Sequence, residues 1–389
     1  MIQHILKLIW NKKGSNALMI LEIFLSFLVL FVVVGYVIFN LGILSKPLGF
    51  DTEDRWMVHL DNKVDLSDSL DRANTLQNLK TDLLGSEHVD NVTFLQSVVP
   101  FTDNNWRNSF TSQSDVNVNS NMMPVDLEYA TLMNVKLVEG RWFLPEDHNA
   151  IHKSMVVNRL FLEKFENKSM IDSVFASGND NYKIVGLVED IRYLGQFDEP
   201  YPTMYFLSDY HENADNIILK MKSDTPASVE ESISQLVNTT SKSTGSVIES
   251  LDNMKTEKSR HSWILMIGLL SICGFLCINV ALGLFGVLWY NINKRRSEIG
   301  LRQALGAHGY DITKQFILEI MVLTLLAVGL GIFFAIQIPL LDVTEYPDSL
   351  FYKSIIYSTL IILALVLVCA LLPSLQAAKI RPATALHED

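Results

Sequence analysis

Cysteine is nearly missing from this chain, with 3 in 389 residues, at positions 273, 277 and 369. None lies between residues 44 and 260, so that long segment folds without disulfides, even in an oxidising compartment. Cys273 and Cys277 are four apart in an apolar run, which suits buried thiols better than a metal site short of ligands. No Gly-x-x-x-x-Gly-Lys-Ser/Thr occurs, so the chain has no P-loop to cradle ATP. His-Glu-x-x-His, Gly-x-Ser-x-Gly and Cys-x-x-Cys are missing as well. His148 and His152 have the spacing of helical metal ligands, but Glu146-Asp-His-Asn-Ala-Ile-His reads as a loop, and a zinc site needs three or four convergent ligands. The expectation is a protein that is not itself an enzyme and holds no catalytic group, metal or cofactor of its own.

Long apolar stretches are what the chain does have. Hydrophobic residues make up 49%, concentrated in Ala17–Ile43, Trp263–Tyr290, Phe316–Leu341 and Ile355–Leu372. Each reaches or nearly reaches the ~20 residues that carry a helix across a ~30 Å hydrocarbon core. The first is far longer than the ~7–15-residue apolar region of a cleavable signal peptide, so it reads as a retained anchor. Transmembrane helices are expected at 16–43, 261–291, 316–341 and 354–373. Lys7, Lys12 and Lys13 precede the first. Lys294, Arg295, Arg296, Arg302 and Lys314 lie between the second and third, and Lys379 and Arg381 follow the fourth. By the positive-inside rule, both termini, the 292–315 loop and the 374–389 tail are cytoplasmic, and 44–260 and 342–353 lie outside.

The net charge of −12 follows the same division. Segment 44–260 holds 20 Lys and Arg against 34 Asp and Glu, and the remainder 11 against 9. Without a basic face outside the loops, a nucleic-acid partner is excluded. Glu22 and Glu319 are the acids inside the apolar runs; snorkelling to the interface is the simpler expectation, with pairing across helices or to the basic loop as the alternative.

Residues 1–15 place Ile2, Ile5, Leu6, Ile9 and Trp10 at helical spacing, as in an amphipathic helix on a lipid surface. In the outer segment, a strand at Arg55–Leu60, a helix at Leu70–Leu84 and a strand at Val89–Val99 are echoed by a strand at Asn216–Lys222, a helix at Ala227–Val237 and a strand at Gly245–Leu251. Two strand–helix–strand units of this kind pair into an α+β split sandwich. Residues from about 100 to 205, rich in Asn, Asp and Ser, read as a mainly-β subdomain inserted into it. Ser297–Leu305 reads as a short helix capped by Gly306, with Ile299, Leu301, Ala304 and Leu305 supplying apolar contacts. Asp311 suits the start of the third span's helix.

The segment Arg295-Arg-Ser-Glu-Ile-Gly-Leu-Arg-Gln-Ala-Leu-Gly-Ala resembles the cytoplasmic loop of the MacB/FtsX/LolCE group of ABC transporter permeases. Gln315-Phe-Ile-Leu-Glu and the tail from Leu372 to Leu386 resemble the same group. Met133–Phe143, with Gly140 and Arg141, resembles the Gly-Arg segment of a MacB periplasmic core. Tyr182–Arg192, with Gly186 and Asp190, follows in the expected order, then Glu199-Pro-Tyr-Pro. The chain departs from MacB in starting almost at the membrane, without a fused ATPase domain, and from the wider group at His308 and Gly309, where Ser or Thr is common.

The resemblance implies a multi-pass protein of a bacterial inner membrane whose ATP and Mg are bound by a separate cytoplasmic ABC ATPase dimer. It implies a second permease copy, identical or paralogous, and membrane lipid as surroundings, with a periplasmic adaptor and an outer-membrane channel as further candidate partners. Arg295, Arg296, Glu298, Ile299, Leu301, Arg302, Leu305, Gly306 and Ala307 would meet the ATPase. Work would be done on the outer domain by mechanotransmission, for efflux of a peptide, antibiotic or amphiphilic compound. The alternatives are an FtsX-like scaffold that regulates an outer partner such as a wall hydrolase, and a lipoprotein-releasing permease.

Overall fold

The computed structural model describes residues 13–60, 69–165, 170–208, 214–241, 245–341 and 346–378. The amphipathic helix expected at 1–15 and most of the 374–389 tail lie outside them. In chain order the elements are α1 (Lys13–Leu44), β1 (Arg55–His59), α2 (Ser69–Leu84), β2 (Val89–Leu95), β3 (Arg107–Ser112), β4 (Asn117–Val125), α3 (Tyr129–Met133), β5 (Leu137–Gly140), β6 (Lys153–Asn158), β7 (Val174–Ser177), β8 (Asp180–Val188), β9 (Thr203–Leu207), β10 (Asn216–Met221), α4 (Val229–Ser241), β11 (Val247–Ser250), α5 (Leu251–Lys294), α6 (Arg296–Ala304), α7 (Gly309–Ala335) and α8 (Asp348–Ala378). They form two compact units, Met1–Gly42 with Trp263–Asp389, and Ile43–Ser262.

Among the described residues, the first unit has four helices long and apolar enough to cross a membrane. Lipid offers no hydrophobic drive between helices, so close approach rests on small residues and shape. Phe27 of α1 packs directly against Gly331 of α7, where a Cβ would fall 2.2 Å from the ring's Cδ1. Ile23, Phe27 and Phe31 pack with Leu284, Leu323 and Val366 from the other three long helices. Glu22 faces a neighbouring helix: a Cβ on Gly283 would lie 2.9 Å from its Oε2.

In the second unit, the four-stranded sheet has the order β11-β1-β10-β2 with every neighbour antiparallel. Each strand–helix–strand unit leaves a gap that a strand of the other fills, which is the split arrangement the sequence predicts. Leu76, Leu79 and Leu83 of α2 and Ile233 and Val237 of α4 cover one face with Val58, Ile217 and Leu219. Met57 and Ile218 point into a second core on the opposite face. Burial on both faces explains why β10 reads as an unbroken apolar run, Ile217-Ile-Leu. β2 stops at Leu95, short of the expected Val99. Val98 and Val99 are buried as loop residues ahead of Pro100, which cannot donate to a ladder. Likewise Leu251 opens α5 instead of closing β11, so that helix starts well before the apolar run.

The inserted subdomain is a seven-stranded sheet, β5-β8-β6-β9-β4-β3-β7, whose last strand pairs again with β8. β7 takes the first part of one edge of β8 and β5 the last part, so six strands close into a ring and β5 extends it. Closure removes open strand edges. Phe110, Phe161, Phe175 and Tyr182 fill the ring.

Candidate functional site

The loop between the second and third long helices is a folded element. α5 breaks at Arg295, and α6 follows at once. Ile299 is buried among Ile292, Ile312, Phe316 and Ala377, and Gln303 Nε2 donates to the Ala378 carbonyl at 3.1 Å. Leu301 and Leu305 face away, 51% and 80% exposed. The sequence assigns apolar contacts to Ile299, Leu301, Ala304 and Leu305 without dividing them between faces; in the structure Ile299 turns inward and the other three are exposed. At about 100° per residue, positions two, five and six beyond Ile299 fall on other sides of the helix, and only Ile299 and Gly300 of α6 are buried.

The helix ends in a Schellman turn. Gly306 has φ +101°, Ala307 N–H donates to Arg302 O at 3.0 Å, and Gly306 N–H donates to Gln303 O at 3.1 Å. α7 then begins at Gly309, where Asp311 Oδ2 accepts the His308 N–H at 3.3 Å. An acid in the first turn caps the helix in place of a Ser or Thr hydroxyl.

A polar chain fixes α6 to α7. Arg295 Nη1 lies 3.2 Å from both Glu319 oxygens, with the two side chains 14% and 17% exposed. Gln315 Nε2 donates to Glu319 at 3.0 Å, and Gln315 Oε1 accepts from Arg302 at 2.8 Å. Arg302 also pairs with Glu298 at 2.5 Å. Glu319 therefore pairs with the basic loop and does not snorkel. Arg296 is half-buried at the start of α6. The result is a helix locked on one face and presenting two leucines on the other.

The outer motif forms a tight seam. Gly140 has φ +75°, and a Cβ there would fall 2.4 Å from Val185 O; one on Gly186 would fall 2.2 Å from Arg141 O. The two backbones thus touch, with Arg141 N–H donating to Val185 O at 3.0 Å. The seam aims Arg141 at Asp147, with Nη1–Oδ2 at 2.7 Å and Nη2–Oδ1 at 2.9 Å. Asp147 also accepts from Ser154 Oγ at 2.6 Å and Leu144 N–H at 2.7 Å. Asp190 is engaged elsewhere, accepting the Leu160 N–H at 3.0 Å.

Hydrogen bonding from Arg141, helped by Ser154 and Leu144, holds the Asp147 carboxyl well below the usual carboxylate range against the cost of burial. A folded pKa below the unfolded value of ~3.9 adds stability that is complete above that value and lost as pH falls toward the folded one. The melting-temperature gap between wild type and Asp147→Asn is therefore expected to be constant from neutral pH to about 5 and to shrink below about 4. A gap that does not change with pH would show that the charge of Asp147 contributes nothing.

The main residue that sequence reasoning missed is Arg192. It is 4% exposed, and its guanidinium donates to the carbonyls of Ile43 at 2.7 Å, Gln196 at 2.7 Å, Pro47 at 3.1 Å and Lys46. The available signal was its place at the end of the Tyr182–Arg192 motif, where a long cation follows a buried strand.

Residues 24–236 match the family described as MacB-like periplasmic core domain, and residues 264–382 match FtsX-like permease C-terminal. The chain is 24% identical over 270 residues to the uncharacterized ABC transporter permease YknZ of Bacillus subtilis, covering 67% of this chain and 68% of that one. It is 22% identical over 275 residues to the macrolide export ATP-binding/permease protein MacB of Aggregatibacter actinomycetemcomitans, covering 67% of this chain and 41% of that one. The chain thus spans less than half of that relative's length. Among solved structures, the periplasmic region of MacB from Actinobacillus actinomycetemcomitans aligns with a TM-score of 0.39 at 15% identity, over 56% of this chain and 97% of that one.

Proposed function

The chain belongs to the ABC transporter permeases that join a MacB-like periplasmic core domain to an FtsX-like permease region, a family of membrane proteins with an extracytoplasmic domain, and from that premise we propose that it works by mechanotransmission. A separate ABC ATPase dimer would bind ATP and Mg and grip α6 in each of two permease copies. The observation that carries this reading is the Leu301–Leu305 pair, held outward by a helix whose other face is fixed by Ile299, Gln303 and the Arg295–Glu319 pair. Two exposed leucines on an ordered helix suit the helix-in-groove mode of recognition. The basic residues around α6 support a cytoplasmic position for it and for both termini. In this reading ATP turnover belongs to the partner and the permease is its membrane subunit, in keeping with a sequence that contains no P-loop.

ATP-driven closure of the ATPase dimer would move α6, and with it α5 and α7, which join it directly in the chain. The movement would reach the outer domain through α1 and α5, for efflux of a peptide, antibiotic or amphiphilic compound. The test is co-purification of the full-length permease with the ABC ATPases of its own cell. Leu301→Asp and Leu305→Asp are each expected to cut ATPase recovery about tenfold, as loss of an interface anchor does, while the permease accumulates normally. Full recovery with both changes combined would sink the reading.

A further inference from the structure

Residues Ile191–Glu199 touch both places where the chain passes through the boundary of the outer domain. On the entry side, Arg192 donates to Ile43, Lys46 and Pro47 carbonyls. The Arg192 N–H also donates to Leu48 O at 2.9 Å, and Lys46 pairs with Glu199 at 3.0 Å. On the exit side, Ser259 Oγ donates to Gln196 Oε1 at 3.3 Å. A Cβ on Gly195 would sit 3.3 Å from Lys258 Cγ, and Lys258 itself pairs with Asp103 at 2.5 Å. Phe101 N–H, two residues before Asp103, donates to Tyr193 O at 2.7 Å.

The Ile43 carbonyl lies in the last turn of α1, at the negative end of its dipole, and also accepts the Lys46 N–H at 3.0 Å, while the Lys46 and Pro47 carbonyls belong to the turn that follows the helix. Arg192 answers them with a charge and a rigid fork of five donors, more than a lysine supplies. It makes no ion pair at contact distance among the described residues. A buried guanidinium satisfied by carbonyls alone is spent on holding backbone in place.

We infer that Arg192 is a positioning residue for coupling, and that residues 191–199 are a clasp binding the end of α1 and the start of α5 into one mechanical element with the outer domain. The inference rests on the proposed ATP-driven mechanism and adds the point at which movement enters the domain. Without Arg192 the ATPase would still bind and turn over, but the end of α1 would slip and the outer domain would stop responding.

The experiment measures hydrogen exchange of the full permease–ATPase complex in nanodiscs, with and without ATP and vanadate. Wild type is expected to show a nucleotide-dependent change in exchange across residues 191–199 and the strands beyond. Arg192→Met is expected to reduce that difference about tenfold with ATPase recovery and hydrolysis within about twofold of wild type, and Arg192→Lys to restore part of it. A merely structural role predicts faster exchange throughout the domain with and without nucleotide, and no selective loss of the response. If Arg192→Met fails to accumulate, the exposed pair decides: Lys46→Glu and Glu199→Lys should each weaken the response, and the double swap should restore it. A full response in Arg192→Met, or in both single charge changes, overturns the inference. Absence of any ATPase or response in wild type overturns the transport reading instead.

Discussion

Replacing Gly186 with alanine is expected to lower the melting temperature of the full-length protein by about 10 °C, corresponding to about 3–5 kcal/mol. The added Cβ would lie 2.2 Å from Arg141 O and 3.1 Å from Arg141 C. Both are main-chain atoms, so no side chain can swing aside. β5 would have to leave β8, breaking the bond from Arg141 N–H to Val185 O and pulling Arg141 from Asp147. Gly140→Ala should be at least as damaging, since it adds a positive φ to a 2.4 Å clash. Gly178 is the control: its φ is +59° but nothing lies within 4 Å of its Cβ position, so Gly178→Ala should cost only about 1 kcal/mol. Melting is followed by tryptophan fluorescence in detergent, with Trp142 beside the seam. If Gly186→Ala melts with Gly178→Ala, the close approach at Arg141 is not what holds the seam.

The second large effect belongs to Arg295. Removing one member of a mostly buried ion pair costs about 3–5 kcal/mol, because the other charge is stranded. Arg295→Ala would leave Glu319 with Gln315 alone, release Gln315 from its bridge to Arg302 and free α6. ATPase recovery should fall about tenfold or more, in line with that cost. The simpler account, in which Arg295 only sets topology, predicts that Lys294→Ala does the same, since it removes an equal charge one residue away. Lys294 is exposed, so the pair account predicts almost no change from it. Arg295→Glu with Glu319→Arg should recover most of the loss. Equal effects of Lys294→Ala and Arg295→Ala would show that the pair has no role beyond topology.

The features that were legible in the sequence rest on local periodicity. Leu76, Leu79 and Leu83 announce α2, the repeated strand–helix–strand pattern announces the interleaved sheet, and four apolar runs announce the long helices. What stayed hidden depends on contacts between distant residues. Return pairing of β7 with β8 leaves no mark on hydropathy, so the insertion reads as mainly β but not as a closed ring. The first turns of α5, from Asp252 to Arg260, are polar and escape a search for apolar runs. They are steadied by distant partners, with Thr52 bonding Asp252 at 2.7 Å and Asp103 pairing with Lys258. At the site, the resemblance to a family's cytoplasmic loop pointed to the residues of α6 but not to which way they face. Ile299 and Leu301 are alike in chemistry and opposite in exposure because the bundle lies on one side only. Arg192 resembles any surface cation until the carbonyls of residues 43–47 are seen around it.

The strand order β11-β1-β10-β2 also sets a timetable for assembly. β1 and β2 reach the far side of the membrane early, yet they are not neighbours. The strand that joins them, β10, arrives only after the entire ring has been threaded across. Until then β1 and β2 each present unpaired edges, and the leucines of α2 have only part of their sheet to cover. Pairings so distant in sequence form slowly and leave a half-translocated chain open to proteases and to pairing with other chains. The ring, complete once β9 emerges, can close first and give β10 a prepared surface to land on. Ion pairs and loops on the finished exterior should therefore tolerate change more readily than the apolar run Ile217-Ile-Leu, whose arrival ends the exposed stage.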